Sequence, residues 1–166
     1  MDSLYKVDDE VQKVSYGKNG FNLSDGIGNY LNDTVYNALF DEAEKTAMAT
    51  LSLYNAPYHY GADPMKTSLT ATGTRITAKV GLNSVGSILS GSSVTAKQKG
   101  VTGWLMNYND TYPESDQRVY HASDVGTSAF GPVTNIRGVK PVIALKGNVT
   151  IASGNGTSTS PYQLSY

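Results

Sequence analysis

The hydrophobic periodicity of this chain changes near residue 52, and that change limits the folds it can adopt. Apolar residues recur at three- and four-residue intervals through residues 25–39, which predicts an amphipathic helix. Asp41, with Glu44 three residues later, has the spacing of a capping box and predicts a second helix over 42–52. Short strand-like runs separated by Gly, Pro, Asn and Ser follow. Because helices precede strands instead of alternating with them, we expect an α+β fold with two short N-terminal helices and an antiparallel sheet.

The strand-like runs differ in the burial that they predict. Residues 74–80 alternate apolar and polar side chains, which is typical of a strand with one buried face. Residues 139–145 are almost continuously apolar, so we expect a central strand covered on both faces. Trp104 lies in a short apolar run, which favours packing in the core. Asn155 and Gly156, between two apolar runs, predict a C-terminal hairpin.

The length of 166 residues is that of one ordinary domain. Residues 1–23 are acidic and poorly periodic, which predicts a linker or an N-terminal extension. Residues 24–166 contain all the predicted helices and strands. We therefore expect a single α+β domain over 24–166.

The charge balance and the length of the apolar runs argue against nucleic acid as a partner and against membrane insertion. The 13 Lys and Arg residues are opposed by 14 Asp and Glu residues, and the formal net charge is −1. A nucleic-acid-binding face needs an excess of basic side chains, so we expect no nucleic-acid partner. The longest apolar run has about five residues, far below the ~20 that cross a bilayer, so we expect no membrane insertion by this segment.

The motifs of common catalytic sites are absent from the sequence. There is no G-x-S-x-G nucleophile elbow, no phosphate-binding G-x-x-x-x-G-K-[ST] loop and no H-E-x-x-H zinc motif. The paired carboxylates Glu114 and Asp116 lie in a polar segment, where solvated surface is the simpler interpretation. We expect a protein that is not an enzyme and that holds no cofactor.

Metal ligands are scarce in this chain. It has no cysteine, and its two histidines, His59 and His121, are far apart in sequence. A weak calcium site near Asp110 stays open, because Asn and Thr oxygens surround this residue in the sequence. It would have a single carboxylate, however, and calcium affinity rises with the number of charged ligands. We expect no tightly held metal.

Tyrosine is the most informative residue type, with 12 copies against three Phe and one Trp. Tyr combines a large, stiff contact surface with a polar tip and is common in recognition loops beside Ser, Gly and Asn. We expect the Tyr- and Asn-rich segments 54–60 and 107–112 to form binding loops. The residues predicted to bind ligand are Tyr58, Tyr60, Asn107, Tyr108, Asn109, Asp110 and Tyr112. The alternative is that these tyrosines cover the edge of the core.

The C-terminal third contains Gly138-Val139-Lys140-Pro141-Val142 and, later, G-N-G-T-S-T-S-P-Y at 154–162. These runs resemble the ending of an uncharacterised domain family of surface and pilin-associated proteins in Firmicutes, which reads G-V-R-P-V and then G-x-G-T-x-x-x-P-Y. Residues 30–39 and 76–82 are similar to the family's first helix and middle strand. One departure is Lys140, where family members usually carry Arg. The resemblance implies a secreted or cell-surface location and a C-type-lectin-like fold, in which two short N-terminal helices are packed on a twisted antiparallel sheet.

These expectations combine into two functional hypotheses. The first is a non-catalytic extracellular recognition module that binds glycan or protein, in adhesion for example, through the Tyr- and Asn-rich loops. The second is a structural spacer or pilin-like surface subunit without a dedicated ligand site, in which the tyrosines serve packing and self-association. A cluster of accessible tyrosines would favour the first hypothesis, and scattered tyrosines would favour the second.

Overall fold

Strands dominate the structure. The computed structural model describes residues 6–7, 10–18, 20–55, 74–85, 102–109, 112–122, 128–157 and 159–166. In chain order the strands are β1 Lys6–Val7, β2 Glu10–Val11, β3 Lys13–Ser15, β4 Met48–Ala49, β5 Leu51–Asn55, β6 Thr74–Ala78, β7 Gly103–Asn109, β8 Arg118–Ala122, β9 Ser128–Pro132, β10 Ile136–Gly138, β11 Ala144–Leu145, β12 Thr150–Ser153 and β13 Gln163–Ser165. The helical segments are α1 Gly26–Asn29, a π-helical stretch Tyr30–Val35, α2 Tyr36–Leu39, α3 Glu42–Ala47 and a 3-10 turn Glu114–Asp116.

A five-stranded sheet in the order β3-β10-β7-β8-β9 forms the centre of the described structure. Within it β10 and β7 run parallel, with Gly138 opposite Gly103, and the other neighbouring pairs are antiparallel. The sheet is therefore mixed, and the expected purely antiparallel sheet is wrong. The other described strands form four two-stranded sheets: β1-β2, β4-β11, β5-β6 and β12-β13.

The predicted first helix is confirmed over residues 26–39, where α1, the π-helical stretch and α2 follow one another without a break. Its apolar face buries Ile27, Leu31 and Val35 completely in the main core. These three buried residues recur at four-residue intervals and so form one face of the helix, as the sequence periodicity predicts.

Asn32 joins this helix to the end of β6. Its Nδ2 donates to the carbonyl of Val80 at 2.8 Å and to that of Gly28 at 2.9 Å. Its Oδ1 accepts hydrogen bonds from the backbone N–H groups of Lys79 at 2.8 Å and Val80 at 3.0 Å. One amide side chain thus satisfies three backbone groups that follow the strand, which fixes the helix against the neighbouring β-structure.

The second helix is much shorter than expected. The capping box is confirmed, since Asp41 accepts from the Glu44 N–H and the Glu44 side chain accepts from the Asp41 N–H. The helix ends at Ala47, however, and the chain continues as β4 and β5. In β5, half-buried Leu51 and Leu53 alternate with exposed neighbours, which is the period of a strand.

The expected fold class is therefore wrong. The structure is mostly β with one helix of 14 residues, in place of two helices packed on a C-type-lectin-like sheet. The physical reason lies in residues 48–55, where pairing of β5 with β6 along five residues satisfies the backbone groups that a longer helix would have satisfied internally.

The segment before residue 24 contributes to the fold. Strand β3 pairs with β10, and Tyr16 and Phe21 are fully buried in the main core. We expected residues 1–23 to be a linker because their charge and weak periodicity resemble those of a solvated segment. Two widely spaced aromatic residues are enough to anchor such a segment, and they leave no periodic signal.

Residues 139–145 do not form the expected central strand. Val139 is buried, but Val142 makes only an isolated bridge to Gly81, and strand structure resumes at β11, which pairs with β4. Pro141 has no backbone N–H and cannot continue a sheet ladder. Val142 and Ile143 are consequently half-buried between sheets.

Two other expectations are confirmed. Strand β6 places Ala78 in the core and leaves Arg75 and Thr77 exposed. Trp104 is 1% exposed and lies in the main core with Met106 and Val119.

Truncation of Trp104 tests its contribution to this core. We expect Trp104→Ala to lower the free energy of unfolding by about 3–5 kcal/mol, because it removes a fully buried aromatic side chain. Urea denaturation measures the change. Ile136→Ala is the control, since Ile136 is 68% exposed and its truncation is expected to cost no more than about 0.5 kcal/mol. Equal unfolding midpoints for both variants would contradict the assignment.

Candidate binding surface

The predicted ligand-binding residues are only partly described by the structure. Asn107, Tyr108 and Asn109 belong to β7, so the expected loop over 107–112 begins as a strand. Tyr112 lies three residues beyond the end of that strand. The other three residues lie outside the described part of the chain: Asp110, Tyr58 and Tyr60.

The two asparagines of this segment are buried and serve the fold. Asn107 is 2% exposed, and its Oδ1 accepts a hydrogen bond from the Val85 N–H at 2.8 Å. Asn109 is 6% exposed, and its Nδ2 donates to the Tyr120 hydroxyl at 3.3 Å. Buried amides must have such partners. Neither side chain is presented on the surface where a ligand would meet it.

Adjacent residues of β7 point to opposite faces of the sheet. Tyr108 is paired with Val119 and packs, half-buried, on the main core. Asn109 is paired with Arg118 and belongs to the other face, where Tyr120 packs in a smaller cluster. The structure therefore does not bring Tyr108 and Asn109 into one surface.

Tyr112 is held in a small aromatic and ionic group. The guanidinium carbon of Arg118 lies 4.2 Å from the centroid of the Tyr112 ring, and the Phe130 ring lies 5.6 Å away. Asp116 pairs with Arg118 at 2.8 Å, and this hydrogen bond raises the pKa of Arg118. One face of Tyr112 is thus covered by a cation from its own chain.

The most exposed apolar surface is the C-terminal hairpin of β12 and β13. Every residue of both strands is exposed. Ile151 lies directly opposite Leu164, and Tyr162 and Tyr166 lie just outside β13, two residues before and two residues after Leu164. These four side chains are 60%, 41%, 53% and 50% exposed, respectively. We call them the hairpin face.

The loop of this hairpin is held by its own hydrogen bonds. Asn155 Oδ1 accepts from both the N–H and the hydroxyl of Thr157, and Ser160 N–H donates to Thr157 Oγ1 at 3.1 Å. Gly156 has a φ of +77°, and a Cβ there would lie 2.7 Å from the Tyr162 ring. The Tyr162 ring therefore packs against the loop of its own hairpin.

Sequence reasoning identified the hairpin but missed its exposed face. The available signals were the alternation of Tyr162, Leu164 and Tyr166 and the absence of any charged side chain from residue 147 to residue 166. An apolar strand face is usually buried, so this alternation alone does not indicate an exposed surface. Only the structure shows that nothing in the described chain covers it.

A second group of side chains surrounds Trp104. The His121 ring stands edge-on to Trp104 at 6.2 Å, and the guanidinium carbon of Arg137 lies 5.4 Å from the Trp104 ring centroid. Burial is the main cause that lowers the pKa of His121, and the charge of Arg137 lowers it further. A hydrogen bond between Nδ1 and the Ala122 carbonyl acts in the opposite direction.

The described residues contain no group of three or more His, Cys, Asp and Glu side chains that could hold a metal ion. Within the same residues, no helix has the length and hydropathy of a membrane span. A scan against protein-family models finds no match, and searches of curated proteins and of solved structures find none either. The resemblance to the surface-protein family therefore stays a prediction.

The pKa of His121 gives a testable pH dependence. Its folded-state pKa lies below the ordinary value of 6.5, so the unfolded chain binds a proton that the folded chain does not bind. The contribution of His121 to stability is therefore complete above pH 6.5 and is lost as the pH falls below it. We expect Arg137→Gln to raise the pKa of His121 and to weaken this dependence. NMR titration of the His121 Hε1 proton in a His59→Gln background measures both changes. The same midpoint with and without Arg137 would refute the expectation.

Proposed function

We propose that this chain is a non-catalytic protein-binding module of a bacterial surface protein and that the C-terminal hairpin is its contact surface. The observation that supports the proposal is the hairpin face, where the paired Ile151 and Leu164 and the two tyrosines that flank Leu164 in sequence are exposed. An isolated hairpin of two strands is only marginally stable in water. A partner that covers this face would bury apolar surface and stabilise the hairpin.

The composition of the hairpin face favours a protein over a glycan. Ile151 and Leu164 form its centre, and aliphatic groups cannot orient the hydroxyls of a sugar. The cores of protein interfaces are depleted in charged residues and enriched in Tyr. Residues 147–166 match this composition, because they contain no charged side chain and end in two tyrosines flanking Leu164.

The strand edges support the same class of partner. Both β12 and β13 are edge strands, and each has backbone groups that pair with nothing else among the described strands. Exposed edges are commonly protected by Lys or other charged residues, and none is present in this hairpin. An extended segment of a partner protein could therefore add to the sheet by backbone pairing.

A second copy of this chain is the partner that the structural-subunit hypothesis requires. Two hairpins without charge do not repel each other, so the same surface also fits self-association. The two hypotheses thus share one contact surface and differ in the identity of the partner. The resemblance at residues 138–142 and 154–162 supports a cell-surface location for either.

A pair of lysine substitutions tests the proposal. Leu164→Lys places a charge in the hairpin face, and Gln163→Lys places the same charge on the opposite face of the same strand. We expect the first to weaken association roughly tenfold or more and the second to leave it nearly unchanged. The measurements are binding to a peptide and glycan array and sedimentation velocity over a range of protein concentrations.

The outcomes separate the hypotheses. Peptide binding that Leu164→Lys abolishes supports a recognition module, and concentration-dependent dimers that Leu164→Lys dissociates support a structural subunit. Glycan binding that is indifferent to Leu164→Lys would overturn the proposed surface. A protein that stays monomeric and binds no array member would overturn the proposed function.

A further inference from the structure

The short connection between β9 and β10 brings together side chains from three parts of the sheet. Only residues 133–135 separate these strands, although β7 and β8 lie between them in the sheet. Arg137 at the start of β10 therefore approaches Gly131 near the end of β9. His121 of β8, which faces Trp104, completes the group.

Three side-chain nitrogens converge on the bare Cα of Gly131. A Cβ on this residue would lie 3.1 Å from Arg137 Nη2, 3.2 Å from Asn135 Nδ2 and 3.8 Å from His121 Nε2. The absence of a side chain at Gly131 thus lets the guanidinium and the amide approach the backbone closely. We call the group of Arg137, Asn135 and His121 around Gly131 the Arg137 niche.

The charge of Arg137 has no counter-charge in the described chain. No described carboxylate forms an ion pair with it, and its buried Nε has no hydrogen-bond partner among the described residues. In each of the other two described arginines, Nε has a hydrogen-bond partner. Arg118 pairs with Asp116 at 2.8 Å, and Arg75 Nε donates to Ser52 Oγ at 2.7 Å. A partly buried cation is costly unless an anion and hydrogen-bond acceptors compensate it.

We propose that the Arg137 niche binds a carboxylate group of a ligand. The guanidinium presents paired N–H donors that match the two oxygens of a carboxylate, and Asn135 Nδ2 adds a neutral donor beside them. The niche has one formal positive charge, because the burial of His121 disfavours its charged form. A singly charged carboxylate therefore matches this niche better than a doubly charged phosphate does. The proposal is independent of the hairpin and of its partner.

The sole tryptophan of the chain provides the readout. Because Arg137 and His121 both contact Trp104, a bound anion should change its fluorescence. Sodium acetate is the minimal probe, and for a ligand of this size we expect a dissociation constant in the millimolar range. Glucuronate and an acetylated dipeptide with a free C-terminal carboxylate then distinguish a sugar source from a peptide source. Methyl glucuronide and the amidated dipeptide are their uncharged controls.

Two substitutions test the assignment of the site. Arg137→Gln should weaken acetate binding about tenfold or more, since a charged hydrogen-bonding partner is lost. Arg75→Gln removes the same charge from an exposed strand position and should leave the affinity within about twofold. Gly131→Ala keeps every charge, but its Cβ would displace the Arg137 and Asn135 nitrogens from their present positions, so it should also weaken binding.

The outcomes decide the proposal. A fluorescence change that saturates with acetate, weakens in Arg137→Gln and Gly131→Ala and persists in Arg75→Gln supports it. Binding that raises the pKa of His121 in the NMR titration is a second supporting result, because an adjacent anion stabilises the imidazolium. Equal acetate affinity in the wild type and Arg137→Gln, tighter binding of phosphate than of acetate, or no saturable change with any probe would overturn it.

Discussion

The fold depends on a reciprocal contact between Tyr16 and Trp104. The Tyr16 hydroxyl donates to the carbonyl of Met106 at 3.0 Å, and Trp104 Nε1 donates to the carbonyl of Val14 at 2.7 Å. The two rings meet edge to face with centroids 5.5 Å apart. Burial raises the pKa of Tyr16 far above its usual range, so the phenol stays a neutral donor. Each aromatic residue thus joins its own segment to the backbone of the other.

This contact explains how a polar N-terminal segment becomes part of the core. Strands β3 and β7 are not neighbours, because β10 lies between them, and the two hydrogen bonds connect them across that strand. The position of Trp104 is thereby fixed, and with it the positions of Arg137 and His121. The Arg137 niche therefore depends on the same packing as the core. The hairpin face depends on none of it, since the residues of β12 and β13 are all exposed.

Sequence reasoning succeeded where a signal is local. The helix over 26–39, the Asp41 capping box and the C-terminal hairpin each depend on residues close in sequence. Leu51 fits both a helical and an alternating pattern in the sequence. It lies in a strand because it pairs with Ala78 of β6. The candidate site was harder to predict than the helices and strands, because the exposure of a side chain depends on contacts with residues that are distant in sequence. Asn107 and Asn109 have the composition of a recognition loop, yet they are buried in β7, where they form hydrogen bonds with Val85 and Tyr120.

Hydrogen exchange in the dilute, isolated chain is the most direct measurement of whether the hairpin lacks a packing partner. We predict that the amides of β12 and β13 exchange at rates close to those of an unstructured peptide. The amides of β7 and β8 should be protected to nearly the full free energy of unfolding, because they lie in the buried sheet. Protection of the hairpin equal to that of β7 and β8 in the monomer would show that it needs no partner, and would contradict its assignment as the contact surface.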